Sequence, residues 1–141
     1  MKYVDASAIL RMVFAEPGPA VPVADGDRLV ASHIVEVETY RAVDRERLLG
    51  RLDDRATATK RKELADVLAM LDLMPVDGTV IDRARSSFAI NVRALDAIHV
   101  GTAEILRDEA AGEPLEFWTH DHRQALAATS RGLGVHGVTS L

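Results

Sequence analysis

Four acidic residues are spaced so that they could share one ion. Asp5, in Tyr3-Val4-Asp5-Ala6-Ser7, and Asp121, in Trp118-Thr119-His120-Asp121, each follow a short apolar run and precede a helical stretch. Asp96 opens Leu95-Asp96-Ala97-Ile98-His99. Each of these three is explained equally well as a helix cap or as a first-turn acid. Glu38 is not, because in Val35-Glu36-Val37-Glu38-Thr39-Tyr40-Arg41 it falls inside a helix. Its ordinary explanation is a surface pair with Arg41 at i+3, which contributes a few tenths of a kcal/mol.

Taken together, three carboxylates at strand ends and one from a neighbouring helix are expected to meet in one pocket. Like charges a few ångströms apart repel and raise one another's pKa values, so such a cluster calls for a cation. Mg²⁺ or Mn²⁺ suits it, being a hard ion that takes oxygen ligands and keeps some of its water. The chemistry that follows is phosphodiester hydrolysis by metal-activated water. Glu36 and Glu38 lie about 200° apart on a helix, so only one of them can face that pocket.

The elements that would position these acids alternate. Lys2–Val4, Leu29–Ala31, Leu73–Val76 (interrupted by Pro75), Glu116–Trp118 and Val135–Val138 read as strands. Helical spacing covers Ala6–Ala15, His33–Leu49, Ala58–Leu71, Thr79–Ala89, Ala94–Asp108 and Arg123–Ser130. Strands separated by helices predict an α/β fold, a helix-sheet-helix sandwich around a mainly parallel sheet. The site should then lie outside the carboxyl ends of the strands.

With 141 residues, 48% apolar and 28% charged, the chain suits one domain, 1–141, with a real core. The absence of cysteine excludes disulfides, thiolate metal sites and a cysteine nucleophile. No signal-like or membrane-spanning apolar run is present, which reads as a cytoplasmic protein with no membrane partner. A net charge of −5 argues against binding nucleic acid through a bulk positive field, yet residues 41–62 hold eight basic side chains against four acids. Within that segment Arg41, Arg45, Arg51 and Arg55 are candidate contacts to an RNA backbone, with a solvated helix face as the competing explanation.

The histidines offer a different metal site, but no His-Glu-x-x-His or equivalent spacing surrounds His120 and His122. His99, three residues after Asp96, either orients a ligand or is an ordinary satisfied core histidine. Trp118 reads as core, and no phosphate-binding glycine loop occurs.

These segments resemble the PIN-domain ribonucleases, in particular the VapC-type toxins. The resemblance rests on the strand ending Tyr3-Val4-Asp5-Ala6-Ser7-Ala8, on Glu38-Thr39-Tyr40-Arg41-Ala42, on Arg93-Ala94-Leu95-Asp96-Ala97-Ile98-His99, and on Thr119-His120-Asp121 followed by Leu126, Ala127, Ala128 and Leu133-Gly134-Val135. It spans nearly the whole chain with order and spacing kept. It implies that Asp5, Glu38, Asp96 and Asp121 are the catalytic, metal-binding acids, with Ser7 and Thr119 as supporting hydroxyls, and that Asp121 is the most variable of the four. It further implies a PIN-like parallel sheet, an RNA substrate, a homodimer, and a small cognate antitoxin covering the toxin's groove, as in a type II toxin–antitoxin pair.

Two other functions compete. A PIN fold acting only as a binding module would not require all four acids. A receiver-type signalling domain also places acids at strand ends, but resembles its kin in a paired acid after the first strand and a late lysine. Here Asp5 stands alone and the only lysines are Lys2, Lys60 and Lys62.

Overall fold

The computed structural model describes residues 1–139. Five strands, β1 (Lys2–Val4), β2 (Leu29–Ser32), β3 (Asp72–Met74), β4 (Glu116–Trp118) and β5 (Gly134–His136), form one sheet in the order β3-β2-β1-β4-β5, every pair parallel. Side chains of successive strand residues point to opposite faces, and the sequence uses both. Val4, Leu29, Ala31 and Trp118 pack with α1 (Ala6–Phe14), α2 (Val35–Leu48) and α3 (Asp54–Leu68) through Ile9, Val13, Val43 and Leu64. Tyr3, Val30 and Phe117 pack on the other face, with α5 (Ala94–Glu109) and α6 (His122–Ser130) through Val100, Ala103 and Ala127. The short helix α4 (Gly78–Ala84) lies against α5. The three-layer α/β sandwich expected from the alternation is therefore the observed architecture.

Several boundaries differ from the periodicity. The fourth helix ends at Ala84 rather than Ala89. Ser86 Oγ donates to the Arg83 carbonyl at 2.7 Å, and Arg131 holds Ser86 Oγ and the Ser87 carbonyl while its guanidinium stacks 4.2 Å from the Phe88 ring centre. Residues 86–88 are thus drawn into a tertiary contact that apolar spacing does not encode. The third strand stops at Met74, before the proline that lacks a ladder N–H. The last strand ends at His136 because Gly137 turns the chain at φ +100°, and a β-carbon there would collide with the Thr119 carbonyl. No helix among the described residues is long and apolar enough to cross a membrane.

The strand order reverses direction at β1. The chain moves outward through β2 and β3, then returns to add β4 and β5 on the opposite side of β1. Loops leaving the carboxyl ends of β1 and β4 therefore diverge, and an open crevice remains between them.

Candidate metal centre

Asp5 and Asp121 leave the carboxyl ends of the adjacent strands β1 and β4, and both cap the next helix. The Asp5 carboxylate accepts from Ala8 N at 3.0 Å, and that of Asp121 accepts from Arg123 N at 2.8 Å. Capping and site membership are not alternatives here, because a carboxylate has lone pairs to spare for both. Asp96 sits in the first turn of α5, whose N-cap Arg93 makes no side-chain cap bond. Glu38 comes from the first half of α2. All four acids line one cavity of about 240 Å³, together with Ser7, Leu10, His99 and Gln124.

Asp5 is the fixed member. Its side chain is buried, Ser7 Oγ donates to Oδ1 at 2.7 Å, and Thr119 Oγ1 donates to Oδ2 at 2.5 Å. The same hydroxyls accept from the turn after β4, Ser7 from His120 N at 2.8 Å and Thr119 from Asp121 N at 3.1 Å. Two short polar side chains thereby lock the Asp5 and Asp121 turns together. Burial pushes the Asp5 carboxyl above its usual value, against these hydrogen bonds. Asp96 is also raised, first by desolvation and next by the charge of Asp121, with Asp5 adding to it. Two acids distant in sequence thus disfavour ionisation of a third, as expected of carboxylates that face one space.

Glu38 does not pair with Arg41, which instead contacts Asp44 at 3.1 Å. Glu38 Oε1 lies 2.7 Å from His99 Nε2, and His99 Nδ1 lies 2.6 Å from the Tyr3 hydroxyl. The phenol accepts from Ser32 N at 3.2 Å and is kept protonated by burial, so it donates to Nδ1 and leaves Nε2–H to donate to Glu38. His99 is 2% exposed and both its nitrogens are satisfied, so it is a core histidine that also fixes the direction of the Glu38 carboxylate. Glu36 points elsewhere, to His33 at 3.1 Å on the surface.

Tyr3 and Gln124 went unnoticed in the sequence. Gln124, 1% exposed, donates to the Asp96 carbonyl at 3.2 Å and ties α6 to the start of α5. A glutamine within the apolar spacing of α6 was the available signal. His120 and His122 do not assemble a zinc site. His120 Nδ1 bonds the Gly137 carbonyl at 2.7 Å, burial lowers its pKa, and His122 is exposed.

Among the described residues, no three acidic or histidine side chains are already drawn into a coordination sphere. The four carboxylates that line the cavity nonetheless offer oxygen donors and an excess of negative charge, while the His99 nitrogens are already engaged by Tyr3 and Glu38, which fits a hard divalent cation that retains water.

Five of the eight basic side chains of residues 41–62 form ion pairs, two of them with acids just beyond the segment. Arg41 and Arg47 pair with Asp44, Arg51 with Glu46, Lys60 with Glu63, and Lys62 with Asp66. Arg41, Arg45 and Arg51 nevertheless line a cleft of about 570 Å³, which opens beside Glu38 and is also lined by Leu10 and Phe14. Arg55 is exposed on α3, away from that lining.

Comparison with known proteins identifies the family. The PIN domain family model matches residues 2–128. Ribonuclease VapC46 of Mycobacterium tuberculosis is 32% identical over 143 aligned positions, covering 94% of this chain and 94% of the relative. On the extent of these two matches, the chain belongs to the PIN-domain family.

Proposed function

We propose that this chain is a divalent-metal-dependent endoribonuclease, the toxin of a VapC-type toxin–antitoxin pair. The observation that carries the reading is the single cavity lined by Asp5, Glu38, Asp96 and Asp121, drawn from four separate segments of a PIN-domain fold. A relative named as a ribonuclease over 94% of both chains supports the same activity. All four acids being present in one cavity also weighs against a purely binding role.

In this reading Asp5, Glu38, Asp96 and Asp121 hold a Mg²⁺ or Mn²⁺ ion. The ion, once bound, supplies a water of lowered pKa and neutralises charge on the attacking and leaving oxygens of a phosphodiester. The chain's own contribution is orientation. Ser7 and Thr119 fix both oxygens of Asp5, and the Tyr3–His99 pair fixes one oxygen of Glu38. Supporting hydrogen bonds of this kind set the direction of metal-binding carboxylates and their basicity.

The substrate is RNA, with Arg41, Arg45 and Arg51, which line the cleft beside Glu38, as contacts to its backbone, and with exposed Arg55 of α3 as a further contact outside that cleft. A small cognate antitoxin is the protein partner, and we take residues 1–141 as one ribonuclease domain that acts in the cytoplasm as a homodimer. Purified protein should cleave a cellular RNA pool with Mg²⁺ or Mn²⁺, leaving 5′-phosphate and 3′-hydroxyl ends. Undiminished cleavage in excess EDTA would refute the metal-dependent reading.

A further inference from the structure

A second cleft, of about 400 Å³, adjoins the acid cavity and shares Asp96 with it. It lies between the segment leading into α5 and the outer side of α6, and is lined by Ile90, Asn91, Val92, Arg93, Arg123 and Leu126. Two of its charges are unpaired. Within residues 41–62, Arg41, Arg47 and Arg51 are taken up by Asp44 and Glu46 while Arg45 and Arg55 are not, and in this cleft, among the described residues, neither the Arg93 nor the Arg123 guanidinium makes an ion pair or a hydrogen bond. Two guanidiniums without an ion pair thus stand beside the acid cavity, on the side opposite Glu38's helix, with Arg93 near enough to Asp96 for its charge to favour that carboxylate.

The rest of the lining is apolar and left in water, Ile90 being 41% and Leu126 48% exposed. The exposed Asn91 carboxamide is at once a donor and an acceptor. Apolar side chains offer a flat base something to lie against, a carboxamide can meet a base edge, and guanidiniums form paired bonds with phosphate oxygens. No aromatic stacking platform is present in the lining, so the recognition would rest on packing and edge contacts. A cleft of this volume accommodates one nucleoside and its phosphates but no duplex.

We propose that this cleft seats the nucleotide next to the scissile phosphodiester of single-stranded RNA, with Arg93 and Arg123 on its phosphates and the base between Ile90, Leu126 and Asn91. This rests on the ribonuclease reading above and extends it by naming where the substrate is held and in what form. The sequence directed attention to the Arg-rich segment 41–62; this pair comes from two isolated arginines 30 positions apart that only the fold brings to one cleft.

The test compares wild type with Arg93→Ala, Arg123→Ala, Arg93→Lys, Arg123→Lys and Leu126→Asp. The substrate is a fluorescently labelled 20-nucleotide single-stranded RNA of randomised sequence, alone or annealed to its complement pool, with Mn²⁺. Each Ala variant should raise KM about tenfold and flatten the salt dependence of RNA affinity by about 0.7 of a unit of slope, with kcat changed by less than about twofold. The Lys variants should recover the slope. Leu126→Asp should alter the base found next to the cut, and wild type should prefer the single strand. The rise in melting temperature on adding Mn²⁺ should be the same in all the variants, since none of these residues is among the four acids.

Unchanged KM and slope in both Ala variants overturns the proposal. So does a lost response to Mn²⁺, which would mean that the arginines act on the acids, and so does a weakening confined to binding of a purified antitoxin. Wild type that cleaves no RNA with either metal refutes the ribonuclease reading itself, and the cleft proposal falls with it; active wild type with unaltered variants refutes the cleft alone.

Discussion

His99 and Glu38 are 61 residues apart in sequence and 2.7 Å apart in the structure, joined by a hydrogen bond whose other end is anchored at the Tyr3 hydroxyl. A glutamate on a helix has three side-chain torsions, and this bond removes much of that freedom before any ion arrives. His99→Ala should therefore lower Mn²⁺ affinity by about 10–100-fold. Tyr3→Phe keeps the ring stacked on Phe117 but leaves Ser32 N without its acceptor, costing about 1–3 kcal/mol of stability with a smaller loss of affinity. Calorimetric Mn²⁺ titration alongside urea melts checks both, and an unaltered affinity in His99→Ala would reduce this bond to a packing contact.

Glu38→Gln should abolish RNA cleavage and most of the Mn²⁺ response, while Glu36→Gln, which loses only a surface contact to His33, should retain both within about twofold. Side-by-side cleavage assays decide it. The reverse ranking would mean that α2 is rotated relative to the site.

Asp5 and Asp96 set a pH dependence opposite to that of ordinary salt-bridged acids. Both folded pKa values lie above the unfolded ones, so the ionised forms weaken the metal-free fold. The stability each contributes is full below the unfolded pKa and is lost as pH rises through the folded value. In EDTA, Asp96→Asn should thus melt no lower than wild type at pH 7, with any advantage shrinking as the pH falls toward the ordinary carboxylate range. Adding Mg²⁺ or Mn²⁺ should raise the wild-type melting temperature more than that of Asp96→Asn, because the ion binds the folded state. A markedly lower melting temperature for Asp96→Asn in EDTA at pH 7 would contradict the repulsion argument.

Thr119→Val removes a buried hydroxyl that serves Asp5 Oδ2 and Asp121 N at once. It should cost about 1–3 kcal/mol and raise the Asp5 carboxyl further, since one of the bonds opposing burial is gone. Thr119→Ser should recover most of both. Chemical denaturation and Mn²⁺ titration of the two variants test this, and equal behaviour of Val and Ser would remove the hydroxyl from the account.

Glu104 offers a control outside the site. It is 5% exposed and faces Arg83, Arg107 and Arg131, with Arg131 Nη2 2.9 Å from Oε1. Glu104→Ala should destabilise by roughly 3 kcal/mol, the low end for a broken buried ion pair because Arg83 and Arg107 remain over a third exposed. Its Mn²⁺ affinity should stay at the wild-type value. A lost Mn²⁺ response in a folded variant would extend the site to this network.

Alternating apolar runs and helical spacing were sufficient to define the layers, because burial on a sheet face or helix stripe leaves a periodic mark in the sequence. The acids were legible too, as residue types at strand ends and within α2, and the choice of Glu38 over Glu36 came from a motif match. Their supports were not. Tyr3 and Gln124 carried no signal and His99 stayed open between a ligand-orienting and a core role, since a hydrogen bond between residues far apart in the chain leaves no local pattern. The 41–62 segment was legible only as a charge count, which could not show that Asp44 and Glu46 take up Arg41, Arg47 and Arg51. Nor could local sequence decide whether Asp5 and Asp121 only cap their helices, and the fold makes both of them caps that also line the acid cavity. Periodicity and residue type are properties of the chain, whereas which side chain satisfies which is fixed only when the order β3-β2-β1-β4-β5 sets the β1 and β4 turns side by side.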